Sequence, residues 1–276
     1  MSRTFLRLTS SANMSYTSQY DKYDFFNHFY SQEVFMDTSA KHFQGFSGSA
    51  LKLIAICAMV LDHFAAAVLY YGILLPAAPI KEGTSVWTVY TIYQVLRFIG
   101  RIAFPVFCFL LVEGFLHTSN RTRYALRLFL FALISEIPFD LALFQSLTDW
   151  NHQNVFFTLL IGFLVIWAME KAETLPFSTP LKVSAFALGC LVAWLLCTDY
   201  DYKGVILITV FYVFRYTPRL RTLAGCVSLI WEAPACLAFF PIHLYNGKRG
   251  LSLKYVFYLF YPVHLLLFAF LVSLMR

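Results

Sequence analysis

Asp62 and His63 stand in the middle of an apolar stretch, residues 49–71, that is long enough and oily enough to cross a bilayer. An aspartate and an imidazole near a bilayer midplane are costly unless they are paired or put to use. Lys52 lies eleven residues before His63, at the start of the same stretch. Eleven helical residues turn through about 1,100°, within ~20° of the starting direction, so the two side chains share a face roughly 16 Å apart along the axis. A cation at the mouth and a base inside suit a long ligand whose anionic head stays at the surface while its reactive end threads inward. Lys52 also reads as an ordinary interfacial anchor, and Asp62-His63 as a structural polar pair.

Further ionisable groups recur at helical spacing. Arg97 and Arg101, Glu113 and His117, and Glu136 and Asp140 are each one turn apart, and His264 lies in the last apolar run. At ~2.5–3.5 kcal/mol for a charge at the centre of a spanning helix, half of these groups left unpaired would cost on the order of 10 kcal/mol. That rivals the whole stability of a typical domain, ~5–15 kcal/mol. The groups must therefore be paired, neutralised or solvated in a polar interior. A proton-coupled transporter would use titrating carboxylates, and a channel would use rings of one sign. An acyltransferase needs cations for a nucleotide-like head, a base for the acceptor's proton and donors for the thioester oxygen. Arginines towards one end with Asp and His deeper fit the third chemistry best. His63 is then the base. Asp62 assists it only if the helix bends, because consecutive helical residues diverge by ~100°, so Glu136 or Asp140 is the better-placed partner.

The elements that must hold these residues follow from composition. Of the 276 residues 59% are hydrophobic and only 13% charged, with 30 Phe and 17 Tyr, and the apolar runs are too long for barrel strands. The expectation is an all-α, polytopic transmembrane helical bundle of about eight spans, within a range of seven to ten. The runs are placed near 49–71, 87–117, 124–144, 154–169, 183–198, 205–214, 223–240 and 255–274. The second is too long for one perpendicular crossing, so either a surface helix precedes the span or the helix bends at Gly100 and Pro105. The net charge of +6 clusters at helix ends, where it sets orientation and carries no nucleic-acid signature. Six cysteines show no CxxC or Cys/His spacing, which predicts neither a disulfide frame nor a metal site. Arg121, Arg123 and Arg127, and later Arg215, Arg219 and Arg221, mark cytoplasmic ends. Counting spans then puts Lys248 and Arg249 on the other side, against the positive-inside rule. Either that loop is a ligand site or the count is off by one. Residues 1–48 lack the apolar core of a signal peptide. They are expected to form a cytoplasmic extension, disordered or lying on the membrane surface, ahead of a membrane domain at 49–276, with both chain ends in the cytoplasm.

Seven strings, in order, closely resemble the TraX family: LDH at 61–63, LRFIGRIAFPVF at 96–107, EGFLH at 113–117, ALISEIPFD at 132–140, NVFFT at 154–158, YNGKRG at 245–250 and FYPVH at 260–264. The resemblance runs from about residue 51 to the C terminus. TraX-type proteins are associated with N-terminal acetylation of conjugative pilin. The family also looks like a branch of the wider integral-membrane acyltransferases, which draw an acyl group from cytosolic acyl-CoA. In that group a basic residue, ten residues and a histidine mark the first catalytic helix, and Lys52 to His63 match it. Residues 104–115 look like its second helix, and Arg123 and Arg127 sit where its basic third-helix entrance would be.

The resemblance implies a multi-pass protein of the bacterial inner membrane, an N-acetyltransferase that takes acetyl-CoA as acyl donor without a metal. The acceptor would be an amine such as a peptide or pilin N terminus. His63, with Asp62, Glu136 or Asp140, would do the proton chemistry. Lys52, Arg97, Arg101, Arg123 and Arg127 would hold the cofactor phosphates, although each also fits an interfacial role. Glu113, His117, Asn154, Asn246, Lys248, Arg249 and His264 would be substrate-contacting or structural polar groups. The partners are acyl-CoA, the amine-bearing acceptor and membrane lipid, and no nucleic acid. Two rival readings use the same residues: a proton-linked transporter or exporter of a peptide or lipid intermediate, and a non-catalytic assembly factor for a surface appendage.

Overall fold

A computed structural model describes residues 45–251 and 254–276, with the side chains of 254–257 left aside. Residues 1–44 of the expected extension lie outside the described residues. The described residues form helices joined by short loops, and β-pairing among them is limited to isolated bridges at Phe46 with Tyr245 and Gln153 with Thr198. Helix α1 (Gly48–His63) runs on without a break into a wider, π-type section, Phe64–Leu74. The others are α2 (Ser85–Gly100), α3 (Ala103–His117), α4 (Arg121–Leu143), α5 (Val155–Ala172), α6 (Ser178–Leu195) and α7 (Asp201–Val213). They are followed by α8 (Pro218–Ser228), a 3₁₀ stretch (Ile230–Ala238), the short α9 (Phe239–His243) and α10 (Lys254–Met275).

Polar side chains mark several of the starts. Ser47, Thr84, Asn120 and Asn154 each accept a hydrogen bond from an otherwise orphaned backbone N–H in the first turn of the helix that follows. The long apolar run splits at Arg101-Ile102, so the bend lies where Gly100 predicts it. Pro105 falls in the first turn of α3, where its missing N–H costs nothing.

Among the described residues five stretches are long and apolar enough to cross a membrane: Gly48–Leu74, Ser85–His117, Val155–Ala172, Ser178–Leu195 and Tyr258–Met275. Helix α4 has the length, at 23 residues, but carries more charge. From Leu126 onward its exposed residues are nonetheless an apolar stripe of Leu126, Phe129, Leu130, Leu133, Ile134 and Ile137, as a lipid-facing surface requires. Buried aromatics fill the centre. Phe115 meets Phe163 edge to face at 5.3 Å and Tyr212 at 5.8 Å, and Phe211 packs on Phe109 and Phe239.

The segment expected to be the seventh span is not one continuous helix. Helix α8 is only 11 residues long, the backbone leaves helical geometry at Glu232 (φ −142°, ψ 59°), and Pro234 removes a donor from the turn that follows. The chain then doubles back. The ring of Phe239 packs against Gly225, where any Cβ would overlap it. Both arms return to one place, because Phe109 carries the Arg221 guanidinium 5.0 Å above its ring and the Tyr245 ring 5.3 Å away. The loop after this re-entrant pair bonds to the start of α1, through Gly48 N–H to Lys248 O (2.8 Å) and Ser49 N–H to Arg249 O (3.0 Å). Lys248 and Arg249 thus stand at the same end of the bundle as Lys52, and the conflict with the positive-inside rule disappears.

The same geometry separates the start of α1 from the end of α10. Gly48 lies at the basic end, whereas Met275 packs against Gly72 at the opposite end of the helix that starts there. Residues 48 and 275 are therefore on opposite sides of any bilayer that this helix crosses. Single cysteines at Lys248, Arg123 and Glu82, in a background without the native cysteines, test the path with an impermeant thiol reagent. K248C and R123C should label from one side and E82C from the other, and K248C labelling together with E82C would refute the re-entrant pair.

Candidate functional site

The break between α2 and α3 lies beside the middle of α1, and that meeting point builds the site. Gly100 is buried directly against Asp62, where any Cβ would run into the aspartate side chain, so only glycine lets the two helices approach this closely. Asp62 points towards α2 and takes a hydrogen bond from Arg97 Nη1 at 2.6 Å. His63, about 100° further round the helix, points instead towards α10. Its Nδ1 is 2.8 Å from His264 Nε2, with the two rings nearly parallel (6°) and 5.1 Å apart. His264 Nδ1 lies 2.8 Å from the Phe260 carbonyl, one turn back on the same helix.

Asp62, His63, Arg97 and Gly100 line a cavity of about 690 Å³, within the range of small-molecule sites. Its walls bring together Asp62, His63, Arg97 and Arg101, with the aromatic rings of Tyr70, Tyr71, Tyr93, Phe104, Tyr200 and Tyr261. The rim comes from the loops after α4 and α6, through Phe144, His152, Thr198, Asp199 and Asp201. Those loops are tied by Gln153 N–H to Cys197 O (3.0 Å) and Asp199 N–H to Gln153 O (2.7 Å). Thr158 donates to the Asp199 carbonyl, and Phe104 stacks on Tyr200.

Two of the four arginines expected to meet a ligand's phosphates, Arg97 and Arg101, are already paired. Arg97 holds Asp62, and Arg101 Nη1 is 2.8 Å from Glu232 Oε1, which the irregular turn at Glu232 delivers. Glu136 and Asp140, expected as partners for His63, serve the loop instead. Glu136 accepts from the Asn154 side chain and backbone, and Asp140 Oδ2 accepts from Asp149 N–H at 2.8 Å. Asn154 also donates to the Ala132 carbonyl at 2.8 Å, so it clamps α4 to α5.

Lys52, Arg123, Arg127, Lys248 and Arg249 are absent from the cavity wall and sit at the basic end. Between Lys52 and His63 the shared face of α1 is packed shut by buried Ile56 and Met59. Glu113 and His117 also belong to that end. His117 Nδ1 bonds the Glu113 carbonyl at 2.8 Å, while burial and the Glu113 carboxylate push the Tyr245 hydroxyl up to about 12. Asn246 accepts from Lys248 N–H at 2.9 Å and braces the loop.

Sequence reasoning left out several cavity groups, among them Asp199, Tyr200, Tyr261 and His152. It also left out Glu232, the partner of Arg101. The signals were the Asp199-Tyr200-Asp201 cluster before an unusually short apolar run and the Glu232-Ala233-Pro234 interruption. Among the described residues no cluster of His, Cys, Asp and Glu has the geometry of a metal site.

Burial, and after it the nearby Asp62 carboxylate, push the Asp199 carboxyl, in the loop outside the spanning helices, up to about 7. Between about 4, the ordinary carboxylate value, and about 7 the folded protein therefore keeps a proton that the unfolded chain has released, so a rise in pH across this window favours unfolding. Asp199→Asn should remove that component, so that the melting temperature of the variant gains on wild type from pH 4 to pH 7. A constant difference across the window would contradict the assignment. Arg97→Ala strands a carboxylate that already has one buried, unbonded oxygen. It should cost about 3 kcal/mol, and the Asp62→Ala/Arg97→Ala double variant should recover much of that loss in thermal unfolding.

The family profile described as "TraX protein" matches residues 47–272. A protein of Dichelobacter nodosus named "Probable fimbrial assembly protein FimC, serogroup H1" is 32% identical over 250 residues, covering 80% of this chain and 94% of its own length. No solved structure matches the chain. With a profile match running from the start of α1 nearly to the end of α10, this chain belongs to the TraX family.

Proposed function

We propose that the protein is an integral-membrane acyltransferase that moves an acetyl group from acetyl-CoA to the amine of a polypeptide, such as the N terminus of a pilin-type subunit. The observation that carries the reading is His63. It is an imidazole held by its Nδ1 in the wall of a cavity large enough for a chain terminus, and among the described residues its Nε2 makes no hydrogen bond. A base in that position accepts the amine's proton as the new N–C bond forms and passes it to the departing thiolate. Transfer yields the amide and free CoA.

The basic end of the bundle, with Lys52, Arg123, Arg127, Lys248 and Arg249, is the cytoplasmic side on the positive-inside rule. It is the place for the phosphates of the donor, since Arg97 and Arg101 are neutralised within the bundle. The acceptor enters from the other end, where the Asp201 carboxylate in the cavity lining suits an ammonium group. The donor's reactive end reaches His63 along the α1 face now filled by Ile56 and Met59, so loading requires those side chains to move.

The printed name of the Dichelobacter nodosus relative favours a second reading, a non-catalytic assembly factor for a surface appendage. One experiment separates the two. Protein in nanodiscs is supplied with labelled acetyl-CoA and a panel of peptides with free N termini, and the products are read by mass spectrometry. The expected result is one acetyl per peptide, with a His63→Ala variant slower by ~10²–10⁴. A folded wild-type protein that neither acetylates any acceptor nor shifts its melting temperature with CoA would leave the assembly reading.

A further inference from the structure

We infer that His264 is a positioning residue that fixes the tautomer of His63 through the chain Phe260 C=O, His264, His63. This rests on the reading of His63 as the base, and it adds the reason why the correct nitrogen faces the cavity. A carbonyl oxygen only accepts, so the 2.8 Å contact between Phe260 O and His264 Nδ1 requires the proton on that nitrogen. His264 is 4% exposed, walled by Phe260, Tyr261 and Phe268. A second proton would place an unpaired cation in that apolar pocket, so His264 is neutral and its Nε2 carries a lone pair.

The same Nε2 is 2.8 Å from His63 Nδ1, which must therefore be the donor. A neutral His63 that donates from Nδ1 has its lone pair on Nε2, the ring nitrogen left to the cavity. A lone imidazole would be free to carry its proton on either nitrogen, and with the proton on Nε2 it presents a donor to the acceptor amine instead of a base. The near-parallel rings and the helical i, i+4 spacing of Phe260 and His264 make the chain rigid: α10 supplies the acceptor at the far end, and α1 supplies the base. Asp62 takes no part, because it is turned towards Arg97.

Selective ¹⁵N-histidine labelling in nanodiscs reads the tautomer directly and needs no activity. Wild-type protein should show the His63 and His264 rings, assigned by loss of signals in His63→Ala and His264→Gln, both protonated on Nδ1 and bare on Nε2. A His63 ring protonated on Nε2 overturns the inference even if acetyl transfer is confirmed.

The activity arm uses three variants. His264→Phe keeps the ring but cannot accept a hydrogen bond, and should lower kcat on the order of 10²-fold with KM little changed. His264→Gln, whose side-chain oxygen can accept from His63 Nδ1, should stay within about tenfold of wild type on the same scale, whereas His264→Leu should fall with the Phe variant. Equal kcat across the Phe, Gln and Leu variants and wild type refutes the positioning role. Correct tautomers with no acetyl transfer to any acceptor would retain the His63–His264 relay and discard the acyltransferase reading.

Discussion

A formal charge inside a membrane-spanning bundle costs several kcal/mol unless it is neutralised where it stands, and that requirement shapes the centre of this molecule. Arg97 is met by Asp62 across the α1–α2 contact, and Arg101 is met by Glu232 from an irregular turn elsewhere in the chain. The first pair demands that α2 end against α1 closely enough for a glycine at position 100. The second demands that the chain leave helical geometry at Glu232. The break between α2 and α3 and the re-entrant pair thus both sit at compensated arginines.

With those charges cancelled, what remains facing the cavity includes the His63 imidazole, a ring of tyrosines and the acids Asp199 and Asp201. A cavity without excess positive charge is poorly suited to hold phosphates and well suited to an amine. The excess positive charge lies at the other end, around the loop that the re-entrant pair brings back to the start of α1. The two ends of the bundle therefore differ in chemistry, and His63 stands between them.

Much of this was legible from residue order. The apolar runs marked the helices, Gly100 marked the break, and the 100° step between neighbours separated Asp62 from His63 before any contact was known. The partners were not legible. His63 is paired with a residue 201 positions away, and Glu136, at helical distance from another carboxylate and so a natural candidate, is taken up by Asn154 at the start of α5. The stretch around 223–240 had the hydropathy of a span, and only Glu232 drawn to Arg101 and Phe239 packed on Gly225 make it turn back.

The sequence by itself therefore determined that this is a helical membrane protein, where most of its helices begin and break, and which polar residues had to find company in its interior, because those are matters of hydropathy, local backbone preference and helical periodicity. Only the tertiary structure decided which company they found, on which side the basic loop lies, and that the cavity holding His63 does not reach Lys52. Those outcomes depend on side chains far apart in the chain meeting in a closed volume, and no local pattern encodes such a meeting.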